Sequence, residues 1–246
     1  MTALLSLQRV SKRFRGLVAV DAVSFEVPEG ALFAVIGPNG AGKTTLFNMI
    51  AGAMTPDDGT ITFAGEPIGG LTPDAVCRRG IGRTFQLVRP FPALSVEDNV
   101  MVGALLRRRD LGSARERAQA LLRRLDLFDR RRQIAATLTL SDRKRLEVAR
   151  ALATEPRLLL LDEVMAGLRP AETDRMVATL RELNRESGLT ILLIEHVMRA
   201  VMAVASRVLV LDHGTAIAQG APEAIVRNPA VVQSYLGQSA LEIGAV

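Results

Sequence analysis

Gly37-Pro38-Asn39-Gly40-Ala41-Gly42-Lys43-Thr44 has the residue types and spacing to hold a nucleoside triphosphate. A triphosphate needs several backbone N–H groups aimed at one point, and side chains there would block the approach. The glycines leave the main chain bare. Lys43 brings a positive charge to the β- and γ-phosphates, the Thr44 hydroxyl is a ligand for Mg²⁺, and Thr45 joins the nucleotide-binding set. A glycine turn with an incidental lysine is the competing explanation. It leaves the flanks unexplained: Ala31 to Ile36 is a continuous apolar run, as in a strand buried on both faces, and Thr44 to Ala51 has helical spacing. In the order strand, glycine loop, helix, the positive end of the helix dipole meets the phosphates.

A second apolar run, Leu158-Leu159-Leu160-Leu161, ends in Asp162-Glu163. Carboxylates at the carboxyl edge of a parallel sheet lie where ligands bind. Asp162 is suited to Mg²⁺ and Glu163 to polarising an attacking water. Alone, the pair is weak evidence, because acidic residues often end strands. Beside a phosphate loop it is strong.

The elements that must position these residues can be read around them. Leu4 to Val10 and Leu17 to Val27 are β-rich, Ile61 to Phe63 is a short strand, and Ile191 to Ile194 and Val208 to Leu211 are further strands. Asp212-His213-Gly214 predicts a hairpin turn into Thr215 to Ala218. Between about Leu87 and Ala153 the strand signals vanish. There Ser113 and Glu116 have capping-box spacing, and Ala114, Ala118, Leu121, Leu122 and Leu125 form an apolar stripe. This predicts a helical lobe inserted into an α/β core. Pro170 starts another helix, with Met176, Leu180 and Leu183 on one face.

Composition narrows the class. Of 246 residues 48% are apolar, enough for a sizeable core. No apolar stretch reaches a membrane span, because Arg199, Ser206 and Arg207 interrupt the longest candidate. The start of the chain lacks a signal-peptide pattern, and a single cysteine, Cys77, fits a reducing compartment. The net charge of +5 comes from scattered arginines; with no Trp and one Tyr there is no aromatic platform for nucleic acid, so a solvated basic face is expected and no nucleic-acid partner.

In this order the phosphate loop, Gln86 after Arg83-Thr84-Phe85, the Asp162-Glu163 pair and His196 after Ile191 to Glu195 resemble the ABC ATPases, along about residues 4 to 237. The segments GPNGAGKTTLFN (from Gly37), RTFQLVRPFPALSVEDN (from Arg83) and LDEVMAGL (from Leu161) are most similar to the LivG-like ATPases of branched-chain amino-acid importers. The resemblance implies an α/β fold: a P-loop, RecA-like core (1–86 and 154–225) with an N-terminal antiparallel β subdomain, an inserted helical signature subdomain (87–153) and a tail (226–246). It implies that Phe14 stacks on adenine, with core packing the alternative. It further implies that Gln86 contacts Mg²⁺ or water and reports nucleotide state, and that His196 holds the γ-phosphate. ATP and Mg²⁺ are the implied cofactors. The implied partners are integral membrane permease subunits, a second ABC ATPase and, indirectly, an extracytoplasmic solute-binding protein, with the chain peripheral on the cytoplasmic face of a bacterial inner membrane. The alternatives are a soluble ABC ATPase acting on nucleic acid or ribosomes, and a weakly hydrolytic regulatory subunit.

The family pairs each phosphate loop with a partner's Leu-Ser-Gly-Gly-Gln signature. Here the matching residues are Leu138-Thr139-Leu140-Ser141-Asp142, ahead of a basic helix from Arg143 to Ala153. Ser141 stands in place of a glycine and Asp142 in place of glutamine. A carboxylate near a triphosphate is repelled by about 4 kcal/mol at 4 Å and an effective dielectric of 20. Thr139 and Asp142 also have capping-box spacing. A signature weakened at its opposite nucleotide favours a heterodimer with a differently equipped subunit.

Overall fold

The computed structural model describes residues 3–85 and 90–235. They fall into two compact units, Met1–Val76 with Leu192–Val246, and Cys77–Ile191. Among the described residues no helix is long and apolar enough to cross a membrane.

The first unit opens with β1 (Ala3–Phe14), β2 (Leu17–Pro28) and β3 (Leu32–Ile36), then α1 (Lys43–Ile50), β4 (Asp58–Phe63), β5 (Glu66–Pro67) and α2 (Pro73–Arg78), which carries the first boundary between the units. An antiparallel sheet runs in the order β2-β1-β4-β5. Leu5, Leu7 and Val10 of β1 face the interior with Val20, Val23 and Val27 of β2. The chain reverses between paired Phe14 and Leu17, with Arg15 at φ 51°. The returning part of the unit supplies β8 (Thr190–Ile194), which carries the boundary between the units, then α7 (Met198–Val204), β9 (Arg207–Asp212) and β10 (Thr215–Gly220). Here the strand order is β10-β9-β3-β8, with β3 parallel to β9. All five residues of β3 and of β8 are buried, as their unbroken apolar runs require. The predicted hairpin joins β9 to β10 through His213 and Gly214, both at positive φ (45° and 82°).

The second unit holds β6 (Ile81–Arg83), α3 (Val96–Ala104), α4 (Leu111–Arg124), α5 (Leu140–Ala153), β7 (Leu158–Asp162) and α6 (Pro170–Ser187). Strands β6 and β7 pair in parallel, Ile81 with Leu158 and Arg83 with Leu160. Each of the four leucines of β7 is fully buried, and each such burial contributes roughly 1.5–3 kcal/mol. Burial at this strand's base therefore holds its acidic tip in place. The stripe on α4 is buried as read, but its cap is not Ser113. Asp110 caps the helix instead, accepting from the Ser113 N–H at 2.8 Å and from the Ser113 hydroxyl at 2.7 Å. A carboxylate outcompetes a hydroxyl as acceptor for the positive helix end, so the helix begins at Leu111. Helix α5 likewise starts earlier than the basic run suggested, at Leu140 rather than Arg143, with Thr139 as its cap.

Candidate functional site

In the first unit the phosphate loop leaves β3 at Gly37 and enters α1 at Lys43. Gly42, at φ 97°, is the point where only glycine fits: a Cβ there would lie 2.3 Å from the carbonyl oxygen of Ala19. Gly37 is as crowded, its Cβ position being 2.1 Å from the Leu211 oxygen. Pro38 and Ala41 are buried, while Asn39, Gly40 and the Thr44 side chain face outward. No side chain caps α1, and its first turn carries no acidic residue, so its leading amides are left for an anion. Lys43 is only 8% exposed, and its Nζ donates to the carbonyls of Gly37 (2.6 Å) and Pro38 (2.8 Å). Those carbonyls hold the ammonium over the loop it serves. Thr45 is half-buried in the first turn of α1.

The same unit holds Phe14 and His196. Phe14 ends β1 with its ring 41% exposed, an open face that core packing would have covered; the Lys12 ammonium stands 5.8 Å from the ring centre. His196 is exposed, directly after β8 and the fully buried Glu195.

The second unit carries the acidic tip. Asp162 ends β7 and is nearly inaccessible. Its Oδ2 accepts from Arg83 at 3.2 Å, its amide donates to the Thr84 hydroxyl at 3.1 Å, and its Oδ1 is buried without a hydrogen-bond partner. Burial pushes the Asp162 carboxyl above the usual carboxylate range, and the Arg83 guanidinium pulls part of the way back. A buried carboxylate oxygen without a donor is what a hard cation seeks, and Mg²⁺ typically takes one or two carboxylates together with phosphates and water. The described residues hold no cluster of three or more His, Cys, Asp or Glu that could hold a metal alone. Glu163 is half-buried and sits at φ 50°, a left-handed backbone rare outside glycine. Gln86 lies outside the described residues.

At the signature, Thr139 accepts from the Asp142 N–H at 3.2 Å while its hydroxyl donates to Asp142 Oδ2 at 2.8 Å. Only one half of the capping box forms, because the Asp142 side chain turns to its own threonine and to two arginines. It is 1% exposed and ion-paired with Arg130 and with Arg145 (2.5 Å). The expected open charge is therefore compensated within its own lobe. Exposed Leu140 and half-buried Ser141, in the first turn of α5, remain as the departures from glycine.

A family model described as ABC transporter matches residues 20–166. The chain belongs to the ABC ATPases. Residues 217–240 of this cassette also match a model described as branched-chain amino acid ATP-binding cassette transporter. The cassette is 40% identical to the Salmonella typhimurium high-affinity branched-chain amino acid transport ATP-binding protein LivG, over 96% of this chain and 98% of that one. It is 39% identical, with the same coverage, to BraF of Pseudomonas aeruginosa, a protein of the same description. The lipopolysaccharide export ATP-binding protein LptB of Escherichia coli is 37% identical over 96% of this chain and 98% of its own. Among solved structures, the ADP conformation of MJ1267, an ATP-binding cassette of an ABC transporter, superposes with a TM-score of 0.87 at 29% identity, covering 96% of this chain and all of that one. The fold is that of an ABC ATPase core, and the cassette binds nucleotide.

Four residues that the motifs did not single out surround these positions. Arg83 pairs with Asp162, and Lys144 and Glu147 lie buried on α5. Tyr235, in the terminal helix 229–235, is half-buried and hydrogen-bonds to the backbone of Gly37; burial raises its hydroxyl pKa and the Gly37 contact lowers it. The tail thus touches the phosphate loop. Its single tyrosine was the available signal, since a buried hydroxyl needs a partner.

Proposed function

We propose that this cassette hydrolyses Mg²⁺-ATP to drive a membrane importer for branched-chain amino acids or a related small polar solute. The phosphate loop carries the reading: bare backbone forced by crowding at Gly37 and Gly42, with the Lys43 ammonium held over it. The two branched-chain relatives and the matching tail at 217–240 support import over the export work of the lipopolysaccharide relative.

The residues divide the work. The loop amides and Lys43 bind and neutralise the phosphates, and Phe14 offers its open face to the base. Thr44, Gln86 and Asp162 hold Mg²⁺, which when bound spreads the charge of the phosphate oxygens. Glu163 orients a water for in-line attack on the γ-phosphate, and His196 steadies that phosphate. A partner cassette, for which a different subunit is favoured, brings its own signature to this loop. Permease subunits dock on the helical lobe, where Phe91, Leu94 and Ile134 are exposed on two segments paired through their backbones at 92–95 and 134–136. The cassette then works peripherally at the cytoplasmic face of the inner membrane, with an extracytoplasmic binding protein delivering solute.

Substituting Glu163→Gln tests the mechanism: ATP binding is retained and turnover falls at least about a hundredfold, as loss of a general base does. Retained turnover removes Glu163 from its role. Co-purification with membrane subunits, followed by ATP-dependent uptake of leucine, isoleucine and valine into proteoliposomes, tests the transport reading. Uptake of none of the three overturns the solute class.

A further inference from the structure

Helix α5 buries two charged side chains one turn apart, and each grips a backbone group of another segment. Lys144, 6% exposed, donates from Nζ to the carbonyl oxygen of Glu163 at 2.5 Å. Glu147, 4% exposed, accepts from the N–H of Phe85 at 3.0 Å. Three residues apart, they share one helix face. Burying an ammonium and a carboxylate is costly, and apolar side chains would pack α5 onto β6 and β7 without that penalty. Glu147 also pairs with Arg150 at 3.6 Å, and what both charges add is direction, because each holds a backbone group of another segment.

The group fixed by Lys144 is the one most in need of holding. Glu163 has left-handed φ, which a non-glycine residue keeps only when its surroundings impose it. That backbone sets the direction of the Glu163 Cα–Cβ bond, from which its carboxylate is carried. The same ammonium also favours the ionised form of neighbouring Asp162. About one turn before Lys144, α5 begins at Leu140 under its Thr139 cap and carries Ser141 and Asp142 in its first turn. One helix therefore joins the signature, the Phe85 backbone and the acidic tip, all within the second unit.

We propose that Lys144 is a positioning residue for hydrolysis: it sets the Glu163 backbone and, with Glu147 on Phe85, makes α5 the bar that carries a shift at the signature to the water-orienting carboxylate. This rests on the reading of Glu163 given above.

The test uses the cassette assembled with its permease and partner cassette, comparing Lys144→Met, Lys144→Arg and Glu163→Gln. Lys144→Met is expected to lower kcat at least about tenfold with KM for ATP and Tm unchanged, and Lys144→Arg, which keeps a cationic donor, to recover most of it. Parental kcat in Lys144→Met beside an inactive Glu163→Gln overturns the proposal and leaves the Glu163 reading standing. An active Glu163→Gln overturns both. A raised KM with unchanged kcat assigns Lys144 to nucleotide binding and also overturns the proposal. Should Lys144→Met not fold, Glu147→Leu tests the other arm: a lowered kcat at unchanged KM supports the bar, and a parental kcat overturns it.

Discussion

Lys43 and Asp162 are both removed from water, and each is stabilised differently. The lysine leans on two carbonyls of its own loop, which hold its ammonium in place. The aspartate leans on Arg83, yet burial still holds its pKa above the ordinary value. A carboxyl with a raised folded pKa binds more protons folded than unfolded between the two values. Its contribution to stability is therefore present at low pH and lost as pH rises through that window; above the window the ionised Asp162 is a standing cost. A cation can offset that cost only after the proton leaves. The apparent Mg²⁺ affinity in nucleotide binding should thus fall with acidification, beginning above the ordinary carboxylate range. Mg²⁺ titrations across a pH series check this, and removing Arg83 (Arg83→Ala) should move the loss to still higher pH. Glycine spacing and the acidic strand end made Lys43 and Asp162 legible from the chain alone. Arg83 was not legible as a partner, because 79 residues separate it from Asp162.

Secondary-structure elements were legible where burial imposes a pattern and less so at their ends. Unbroken apolar runs marked β3, β7 and β8, and the 3.6-residue stripe marked α4. The start of α4 was misplaced because a side-chain contest between Asp110 and Ser113 chose it. A similar local device orders the loop before α3. Asn99 is fully buried, its Oδ1 accepts from Phe91 N–H at 2.8 Å, and its Nδ2 donates to the carbonyls of Phe91 (3.1 Å) and Ser95 (2.9 Å). It thereby shapes the segment that displays Phe91 and Leu94. Asn99→Ala leaves the Phe91 N–H without its acceptor, while the Phe91 and Ser95 carbonyls keep the backbone N–H groups of Leu94 and Asn99; an unsatisfied buried group costs about 1–3 kcal/mol, and each kcal/mol lowers Tm by about 2–4 °C in a chain this long. Calorimetry of the variant should show a loss of several degrees; an unchanged Tm would place the ordering of this loop elsewhere.

Charge is distributed unevenly over the molecule. Residues 77–191 hold 23 Lys and Arg against 15 Asp and Glu, so the second unit carries the basic surplus and the remainder is net acidic. Much of that surplus is spent inside the unit: Arg108 and Arg117 meet Glu155, Arg124 meets Glu186, and Arg123 and Arg131 both lie over the Phe128 ring, 4.1 and 4.2 Å from its centre. Arg130 and Arg145 belong to this inner set, and by enclosing Asp142 they change what the altered signature means. The side chains of Leu140 and Ser141, where the family pattern has two glycines, rather than a bare carboxylate, separate this signature from that pattern. In the assembled pair, Ser141→Gly should raise ATPase activity about severalfold by letting a backbone N–H approach phosphate. Asp142→Gln should lower Tm by opening a buried ion cluster. Equal activity in Ser141→Gly and parent would mean the opposite nucleotide does not depend on this position.

Local order along the chain was enough for the nucleotide loop, the acidic tip, the family and most elements, since each depends on neighbours in sequence: glycine freedom, strand burial, helical period. Folding settled matters that depend on distant partners. Asp142 turned inward because Arg130 and Arg145 stand there, Glu163 took a left-handed backbone under Lys144, and Tyr235 reached Gly37 from the tail. Charges and hydroxyls withdrawn from water act over a few ångströms of space, and spacing along the chain carries no measure of that distance.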